Sequence, residues 1–329
     1  MSVAELDAAT PAVDLSGRPT TSVVICAYTE ARWSDLVAAV ESVRRQSTPP
    51  LEIIVVADHN AELLTRAREE LEGIVAVENG EERGLSGARN SGIAAASGSI
   101  VAFLDDDAAA APDWLERLAR GYLDPRVLAV GGGVEPHWLA GRPRAFPDEF
   151  QWVVGCTYRG MPERTSRVRN VIGANMSFRR DVFAEIGGFR SGIGRVGTRP
   201  VGCEETELCI RAQRRWPEGM ILFDPSAHVR HAVPEQRAGW QYFTSRCYAE
   251  GLSKALVARI AGTVDGLSSE RTYTFRTLPR GVARGLSDAL HGDVAGLGRA
   301  GAIVVGLLVT TTGYLVGIPA AHRAPQSNR

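Results

Sequence analysis

The chain has 329 residues, of which 44% are hydrophobic and 23% are charged, an ordinary composition for a globular protein that buries a sizeable core. Its formal net charge of −1 gives no electrostatic basis for nucleic-acid binding, so we expect no nucleic-acid partner. The five cysteines are scattered and lack paired CxxC spacing, which argues against a disulfide framework or a zinc site and favours a reducing compartment.

The first part of the chain alternates strand and helix patterns after a polar start. Residues 1–20 are polar and lack the basic and apolar regions of a secretory signal, so we expect no such signal there. We also expect this N-terminal segment to be disordered. Apolar, β-branched runs predict strands at Thr21–Ala27, Leu51–Ala57, Ile74–Glu78 and Gly98–Leu104. Helical patterns cover Trp33–Gln46, Ala61–Leu71 and Ser86–Ala96. This alternation predicts an α/β fold with a mostly parallel, doubly wound sheet and helices on both faces.

The turn after the first strand argues against an oxidoreductase. Its residues are Tyr28, Thr29, Glu30 and Ala31. A dinucleotide-binding domain needs the glycines of a GxGxxG turn there, because they let the backbone approach the pyrophosphate.

The second half of the chain has a less regular pattern. It contains a predicted helix at Trp114–Tyr122, a strand at Val127–Val134, a strand-like run at Met220–Phe223 and a helical region at Trp240–Ile260. We therefore divide the chain into an α/β domain at 21–237 and a helical C-terminal region at 238–329.

The C-terminal region has the composition of a membrane-associated segment. No residue from Ala300 to Ala321 is charged, and the stretch is close to the length that spans a bilayer. Upstream, Arg276, Arg280 and Arg284 recur every four residues, as in a basic amphipathic helix at a membrane surface. The alternative is a buried helix preceded by a solvated arginine face. We expect the protein at the cytoplasmic face of the cell membrane, or alternatively in the cytoplasm.

Three consecutive aspartates, Asp105 to Asp107, follow the fourth predicted strand directly. Ligands of open α/β sheets bind at the carboxyl ends of the strands, where Asp58 also lies. In an extended stretch Asp105 and Asp107 point to the same side, whereas Asp106 points away. Such a pair suits Mn²⁺ or Mg²⁺ bound to a diphosphate. The alternative is a cluster that caps a helix N-terminus.

Six ordered motifs resemble those of family 2 glycosyltransferases, which have the GT-A fold. They are SVVICAYTE, VVADHN, GLSGARNSGI, FLDDDA, GANMSFRRDVF and GCEETELCIR, and the likeness covers about residues 21–233. The resemblance implies an inverting, metal-dependent transfer from a nucleoside diphosphate sugar, with Mn²⁺ or Mg²⁺ as the cofactor.

The resemblance also implies roles for individual donor-site residues. Ala27, Tyr28 and Glu30 would flank the base and ribose, and Asp58 would contact the nucleobase. In the acidic run Asp105 would lie near the ribose and Asp107 would bind the metal. We include Asp106 with the donor-binding residues, although its side chain is expected to point away. Arg89 would hold the donor or its diphosphate, unless it forms a salt bridge on a solvated helix face.

Two adjacent glutamates resemble the catalytic acids of the family. In that pattern the second acid is the general base that deprotonates the acceptor hydroxyl, and this sequence has Glu205 where aspartate is usual. Glu204 is the alternative base. Both could instead complement the positive N-terminus of a helix. The glycine-rich stretch before them, residues 191–202 with Arg195 and Arg199, could close over the donor or be a surface connection.

The remaining candidate residues contact the metal and the sugar. The resemblance implies that His231 completes the metal site, although a structural histidine is the alternative. Asn175 could donate a hydrogen bond to a sugar hydroxyl, or be a turn residue.

The extended motifs are similar to a prokaryotic subgroup of glucuronosyl and glucosyl transferases acting on polyprenyl-linked sugars. This similarity suggests UDP-glucuronate or UDP-glucose as the donor and a lipid-linked or cell-envelope glycan as the acceptor. One alternative is a nucleotidyltransferase, but that class requires a glycine-rich basic signature after the first strand, which this sequence lacks. The other is a non-catalytic sugar-nucleotide-binding scaffold at the membrane.

Overall fold

A computed structural model describes residues 19–191, 202–261 and 270–323. The strands are β1 Thr21–Ala27, β2 Glu52–Ala57, β3 Val75–Glu78, β4 Ile100–Asp105, β5 Ala108–Ala110, β6 Val127–Trp138, β7 Ser166–Arg167, β8 Asn175–Arg179 and β9 Met220–Val233. The α-helices are α1 Trp33–Arg44, α2 Ala61–Glu70, α3 Leu85–Ala95, α4 Trp114–Gly121, α5 Arg180–Ile186, α6 Glu204–Arg215, α7 Glu235–Ala238, α8 Trp240–Ala261, α9 Glu270–Thr272, α10 Leu278–Leu290 and α11 Ala295–Arg323.

The described strands form one mixed sheet in the order β3-β2-β1-β4-β8-β6-β9-β5, with β7 beside β9. The strands β1 to β4 are parallel to one another, and β1 and β4 are almost wholly buried. Apolar runs without alternation become strands of this kind, since both of their faces lie against other elements. The predicted α/β fold is therefore confirmed in its first half.

The second half of the sheet is antiparallel. Strand β8 pairs with β4 and β6, and β9 pairs with β5 and β7, all in antiparallel register. Strand β6 continues four residues past the predicted end at Val134, and β9 runs from Met220 to Val233 rather than stopping at Phe223. Pairing across the sheet extends these strands through segments that contain proline and histidine.

The core of the first half lies between the sheet and its helices. Its aromatic centre is Phe103, whose ring meets those of Phe183 and Phe189 edge-to-face at 6.2 and 5.5 Å. Gly92 on α3 faces Val24 on β1 so closely that a Cβ there would lie 2.4 Å from a valine methyl carbon. These contacts pack α3 and α5 against the buried parallel strands.

The described chain divides into two compact units. The first comprises residues 19–135, 162–191 and 204–232, and the second comprises residues 136–161, 202–203, 233–261 and 270–323. The second unit thus adds residues 136–161 to the C-terminal helices, whereas the predicted division at residue 238 stays a prediction. The predicted disordered segment 1–20 lies almost wholly outside the described residues.

Helices α8, α10 and α11 pack closely within the second unit. A Cβ at Gly251 on α8 would lie 2.1 Å from the carbonyl oxygen of Thr310, and one at Gly285 would lie 2.6 Å from that of Gly296. Among the described helices, one segment is long and apolar enough to cross a membrane, Ala295–Pro319, and only 28% of its most apolar window is buried within the protein.

Candidate active site

The candidate site begins where the parallel strands end. Asp58 follows β2, and its backbone N–H donates to the carbonyl oxygen of Ala27 at 2.8 Å. Its carboxylate accepts hydrogen bonds from Asn79 Nδ2 at 2.6 Å and from the backbone N–H of Gly84 at 3.0 Å. These two bonds hold the carboxylate in one orientation. Asp105 lies opposite Cys26 in the register of β4 with β1, so both acids lie at the same edge.

The acidic run, Asp105 to Asp107, is largely buried although it carries three carboxylates. Asp106 and Asp107 are buried, whereas Asp105 is half-buried. Arg32 balances this charge, with its Nη1 lying 3.0 Å from Asp106 Oδ1 and 3.2 Å from Asp107 Oδ2. Burial and the neighbouring Asp107 carboxylate raise the pKa of Asp106 to about 7, against the opposing charge of Arg32.

Arg32 is a site residue that the sequence analysis missed. It ends a short 3-10 helix, Glu30–Arg32, that follows β1. No spacing rule connects it to aspartates more than seventy residues later, so only its position after the first strand could have suggested it.

Asp107 and His231 lie side by side. His231 Nε2 is 3.0 Å from Asp107 Oδ1, because β5 pairs with β9 and places His231 opposite Ala108. Both side chains are buried. The ligand atoms of Asp105, Asp107 and His231 lie within 4.8 Å of one another. Two carboxylates and an imidazole suit Mn²⁺, with Mg²⁺ favouring the oxygens alone. These residues fit a divalent cation, with Asp105 added to the predicted pair.

Arg89 is buried, contrary to the alternative of a solvated helix face. Its Nη1 lies 2.7 Å from Glu204 Oε1, and its Nη2 lies 3.0 Å from the carbonyl oxygen of Gly173 and 3.6 Å from Asp105 Oδ1. Its guanidinium also lies 5.3 Å from the centre of the Phe189 ring. These contacts pair the cation with groups of the protein, and a role of Arg89 in holding the donor or its diphosphate stays a prediction. Arg89 joins the acidic run to the start of α6.

The acidic residues of α6 differ in their surroundings. Glu204 is paired with Arg89, and the buried Glu207 accepts from Arg211 Nε at 2.8 Å. Glu205 is only half-buried, and its Oε1 accepts a weak hydrogen bond from Thr206 Oγ1 at 3.4 Å. The described structure thus binds Glu204 to an arginine and leaves Glu205 more accessible to solvent.

The donor-side predictions have mixed outcomes. Asn175 has no exposed surface, and its side chain accepts from Trp114 Nε1 at 2.7 Å and donates to the carbonyl oxygens of Gly133 and Ala227 at 2.8 Å each. A side chain used in this way joins neighbouring elements of the protein, and the predicted contact of Asn175 with a sugar hydroxyl stays a prediction. Tyr28 is 47% exposed and Glu30 is half-buried, whereas the Ala27 side chain is buried, which leaves only its backbone for a ligand.

Part of the predicted loop over the donor cannot be placed. Arg195 and Arg199 lie outside the described residues. The residue before Glu204, Cys203, has a positive φ of 73°, a conformation that is uncommon for residues with a side chain.

Comparison with known proteins gives the family. Residues 22–187 match the sequence profile described as Glycosyl transferase family 2. A glucosyl-dolichyl phosphate glucuronosyltransferase of Haloferax volcanii is 39% identical over 240 residues, which cover 72% of this chain and 76% of the relative. The chain belongs to glycosyl transferase family 2. It is a glycosyltransferase, as the six motifs predicted, and this membership argues against the nucleotidyltransferase alternative.

Solved structures share the fold of this family 2 transferase. The mannosyltransferase PcManGT from Pyrobaculum calidifontis, in complex with GDP-Man and Mn²⁺, is 19% identical with a TM-score of 0.56, over 94% of this chain and 88% of that one. GalNAc-T7 with UDP, GalNAc and Mn²⁺ is also 19% identical, with a TM-score of 0.51 over 73% of this chain. The chain spans 50% of the GalNAc-T7 structure. These likenesses confirm the predicted GT-A fold.

Proposed function

We propose that this family 2 transferase moves a sugar from a nucleoside diphosphate sugar to an acceptor hydroxyl, with inversion at the anomeric carbon. The observation that carries the proposal is the contact of Arg89 with both Asp105 and Glu204, at 3.6 and 2.7 Å. It brings Asp105 of the acidic run and Glu204, the residue next to the proposed base Glu205, to one buried guanidinium, which supports a site that combines the two. A donor bound at the acidic run would therefore have its sugar near the start of α6.

Asp58 and the acidic run would hold the donor. Asp58 has a fixed carboxylate orientation and can accept from a nucleobase N–H, while the exposed ring of Tyr28 can lie against the base. Asp107 and His231, with Asp105, would hold Mn²⁺ or Mg²⁺. The cation would stabilise the negative charge that develops on the leaving diphosphate.

Glu205 would act as the general base. It removes the proton from the acceptor hydroxyl as the oxygen attacks the anomeric carbon and the nucleoside diphosphate leaves. Glu204 is less suited to this role, because it is buried and its carboxylate lies 2.7 Å from Arg89 Nη1, which holds it in place away from an acceptor. A single displacement inverts the anomeric centre, so Glu205 would lie on the face of the sugar opposite the diphosphate.

A lipid-linked acceptor is supported by the Haloferax volcanii relative and by helix α11. That relative is described as acting on a glucosyl-dolichyl phosphate, and α11 has an apolar segment of membrane-spanning length. We therefore propose a UDP-hexose or UDP-hexuronate donor, an acceptor on a lipid-linked or cell-envelope glycan, and a location at the membrane.

The test combines a donor panel with two neighbouring variants. The full chain is incubated with Mn²⁺, UDP- and GDP-sugars and a polyprenyl-phosphate-linked glucose, and release of the nucleoside diphosphate is measured. Glu205→Gln should lower kcat by about 10²–10⁴-fold, which is the usual contribution of a general base, with little change in the KM for the donor. Wild-type turnover in this variant would exclude Glu205 as the base.

The same panel separates the alternatives. Release of pyrophosphate would indicate a nucleotidyltransferase, and failure to bind any donor would indicate a scaffold. Glu204→Gln is the matched variant on the adjacent residue. A larger loss of kcat in it than in Glu205→Gln, with the fold intact, would transfer the role of base to Glu204.

A further inference from the structure

The second unit contains an arginine-lined pocket whose residues have no part in the proposed transfer mechanism. Its volume is about 410 Å³, which is within the range of small-molecule sites. Five arginines line it together with three carboxylates, so positive charge is in excess. The arginines are Arg142, Arg144, Arg159, Arg284 and Arg299, and the carboxylates are Asp148, Glu149 and Asp288.

The arginines of the pocket are held in place by its carboxylates. Asp148 bonds to Arg142 and, at 2.6 Å, to Arg159. The buried Glu149 lies 2.8 Å from Arg284 Nη2. A guanidinium has five N–H donors, so these contacts orient the cations without using all of their donors.

The same arrangement recurs at the start of α11. Arg299 Nη2 lies 2.7 Å from both Asp288 and Asp293, and Arg144, whose side chain is 84% exposed, bonds to Asp293 at 3.2 Å. A pre-oriented set of guanidiniums is the arrangement that recognises phosphate oxygens.

Exposed apolar side chains also run along α11, beginning two residues before the pocket residue Arg299. The exposed stripe contains Leu297, Val304, Leu308, Leu315 and Ile318, which recur at spacings of three, four or seven and are 38–61% exposed. The other residues on this face of the helix are Gly301 and Thr311. The face therefore carries no charged side chain. On α10 the exposed Leu286 follows the pocket residue Gly285. A stripe of this length left in contact with water is unfavourable by the hydrophobic effect.

We propose that this pocket binds the phosphate group of a lipid, whose hydrocarbon chain lies along the apolar stripe of α11. A free phosphate or a nucleotide would use the arginines but not the stripe, and a neutral lipid would use the stripe but not the arginines. Only a phosphate joined to a long apolar chain satisfies both. The proposal deepens the proposed function, on which it rests for the membrane setting of the protein.

Two sources can supply this chemistry, a polyprenyl phosphate and an anionic phospholipid of the bilayer. Binding to the full chain is measured by calorimetry with EDTA and without any nucleotide sugar. The probes are farnesyl phosphate and dioctanoyl phosphatidic acid, below their micelle concentrations. Dioctanoylglycerol, farnesol and inorganic phosphate are the comparisons. The phosphate lipid that binds more tightly identifies the source.

At least one phosphate lipid should bind at least about tenfold more tightly than inorganic phosphate and than its own phosphate-free analogue, which corresponds to about one charge-assisted hydrogen bond or two buried methylenes. Equal affinity for inorganic phosphate would overturn the role of the lipid chain. Equal affinity for the phosphate-free analogue would overturn the role of the arginines.

Variants locate the binding in the pocket. The double change Arg142→Gln with Arg144→Gln should weaken binding by about tenfold or more, and the fold should survive because Arg159 still pairs with Asp148 and Arg144 is exposed. Arg280→Gln removes an exposed charge of α10 outside the pocket and should change affinity less than about threefold. An equal loss in both variants would indicate nonspecific attraction and contradict the proposal. Because no metal or donor is present, failure of sugar transfer would leave this result unaffected, and failure here would leave the transferase mechanism intact.

Discussion

At the scale of single residues, buried charge determines the properties of the site. Arg32 and Arg89 each neutralise carboxylates that would otherwise repel one another, and each lies within a few ångströms of the acidic run. The two differ in accessibility, since the side chain of Arg32 is 25% exposed and that of Arg89 is 3% exposed. A buried pair is costly to break, because removal of one partner leaves the other charge uncompensated.

Arg89→Met should therefore destabilise the protein strongly. We expect the free energy of unfolding to fall by about 3–5 kcal/mol, the usual result of breaking a buried ion pair, as measured by urea denaturation. Arg66→Met is the matched control, because Arg66 pairs with Glu70 on the surface of α2 at 2.9 Å and should cost less than about 1 kcal/mol. Similar losses in the two variants would contradict the buried role of Arg89.

Asp106 should give the metal-free protein a pH-dependent stability. Its pKa in the folded protein is about 7 against an ordinary value of 3.8, so the folded state holds more protons than the unfolded chain between these values. The free energy of unfolding in EDTA should therefore fall as the pH rises from about 4 to 7. Asp106→Asn should flatten this decline and make the protein more stable than the wild type at pH 8. A decline of unchanged slope in the variant would assign the effect to other groups.

At the scale of elements, close backbone contacts decide which helices can pack together. In the second unit Gly251 allows α8 to approach α11 until a Cβ would be 2.1 Å from the carbonyl oxygen of Thr310. By contrast, Gly301 on α11 has no atom within 4 Å of the position of a Cβ. Both glycines lie within helices, so alanine changes the helix propensity similarly at the two positions. A difference between the two substitutions therefore reports on packing alone.

Opposite results are expected for alanine at these two positions. Gly251→Ala should force α8 and α11 apart and lower the free energy of unfolding by about 1–3 kcal/mol, as overpacking does. Gly301→Ala should stabilise the protein by about 0.5–1 kcal/mol, because alanine has the higher helix propensity. Thermal unfolding followed by circular dichroism measures both. If Gly251→Ala were as stable as the wild type, the helices could not be packed as described.

At the scale of the whole molecule, the site depends on distant parts of the chain meeting at one edge of the sheet. Asp58 and the acidic run come from the parallel half, whereas His231 comes from β9 in the antiparallel half. A ligand that bridges these halves should stabilise the folded protein as a whole, because it binds only the folded state.

Mn²⁺ and UDP should therefore raise the melting temperature together more than either does alone. At a concentration of about 100 times Kd, the bound ligand adds about 2.7 kcal/mol to the free energy of unfolding. The measurement is a thermal shift with Mn²⁺, UDP, both, and both with excess EDTA. Asp107→Asn should remove the synergy, whereas Asn170→Ala, a polar change outside the site, should keep it. A shift by UDP that EDTA does not alter would argue against metal-dependent donor binding.

The sequence by itself determined the parallel half of the fold and the chemistry of the acidic run. Local patterns are sufficient there, because a buried parallel strand is one uninterrupted apolar run and its carboxyl end is the next residue along the chain. This pattern is enough to identify Asp58, Asp105 and Asp107 as candidate site residues. The six motifs also gave the family, and three of them, SVVICAYTE, VVADHN and FLDDDA, combine the end of a parallel strand with the residues that follow it.

Only the tertiary structure decided which polar side chains bond to other residues of the protein. Asn175 is buried and makes three hydrogen bonds to residues far from it in the chain. Arg89 likewise pairs with Glu204, which lies 115 positions later. The same is true of Arg32 beside Asp106 and of the arginine pocket in the second unit. Whether a polar side chain meets a ligand or another residue depends on what the fold places next to it. Local sequence contains no information of that kind, because hydrogen bonds and ion pairs depend on distance in space.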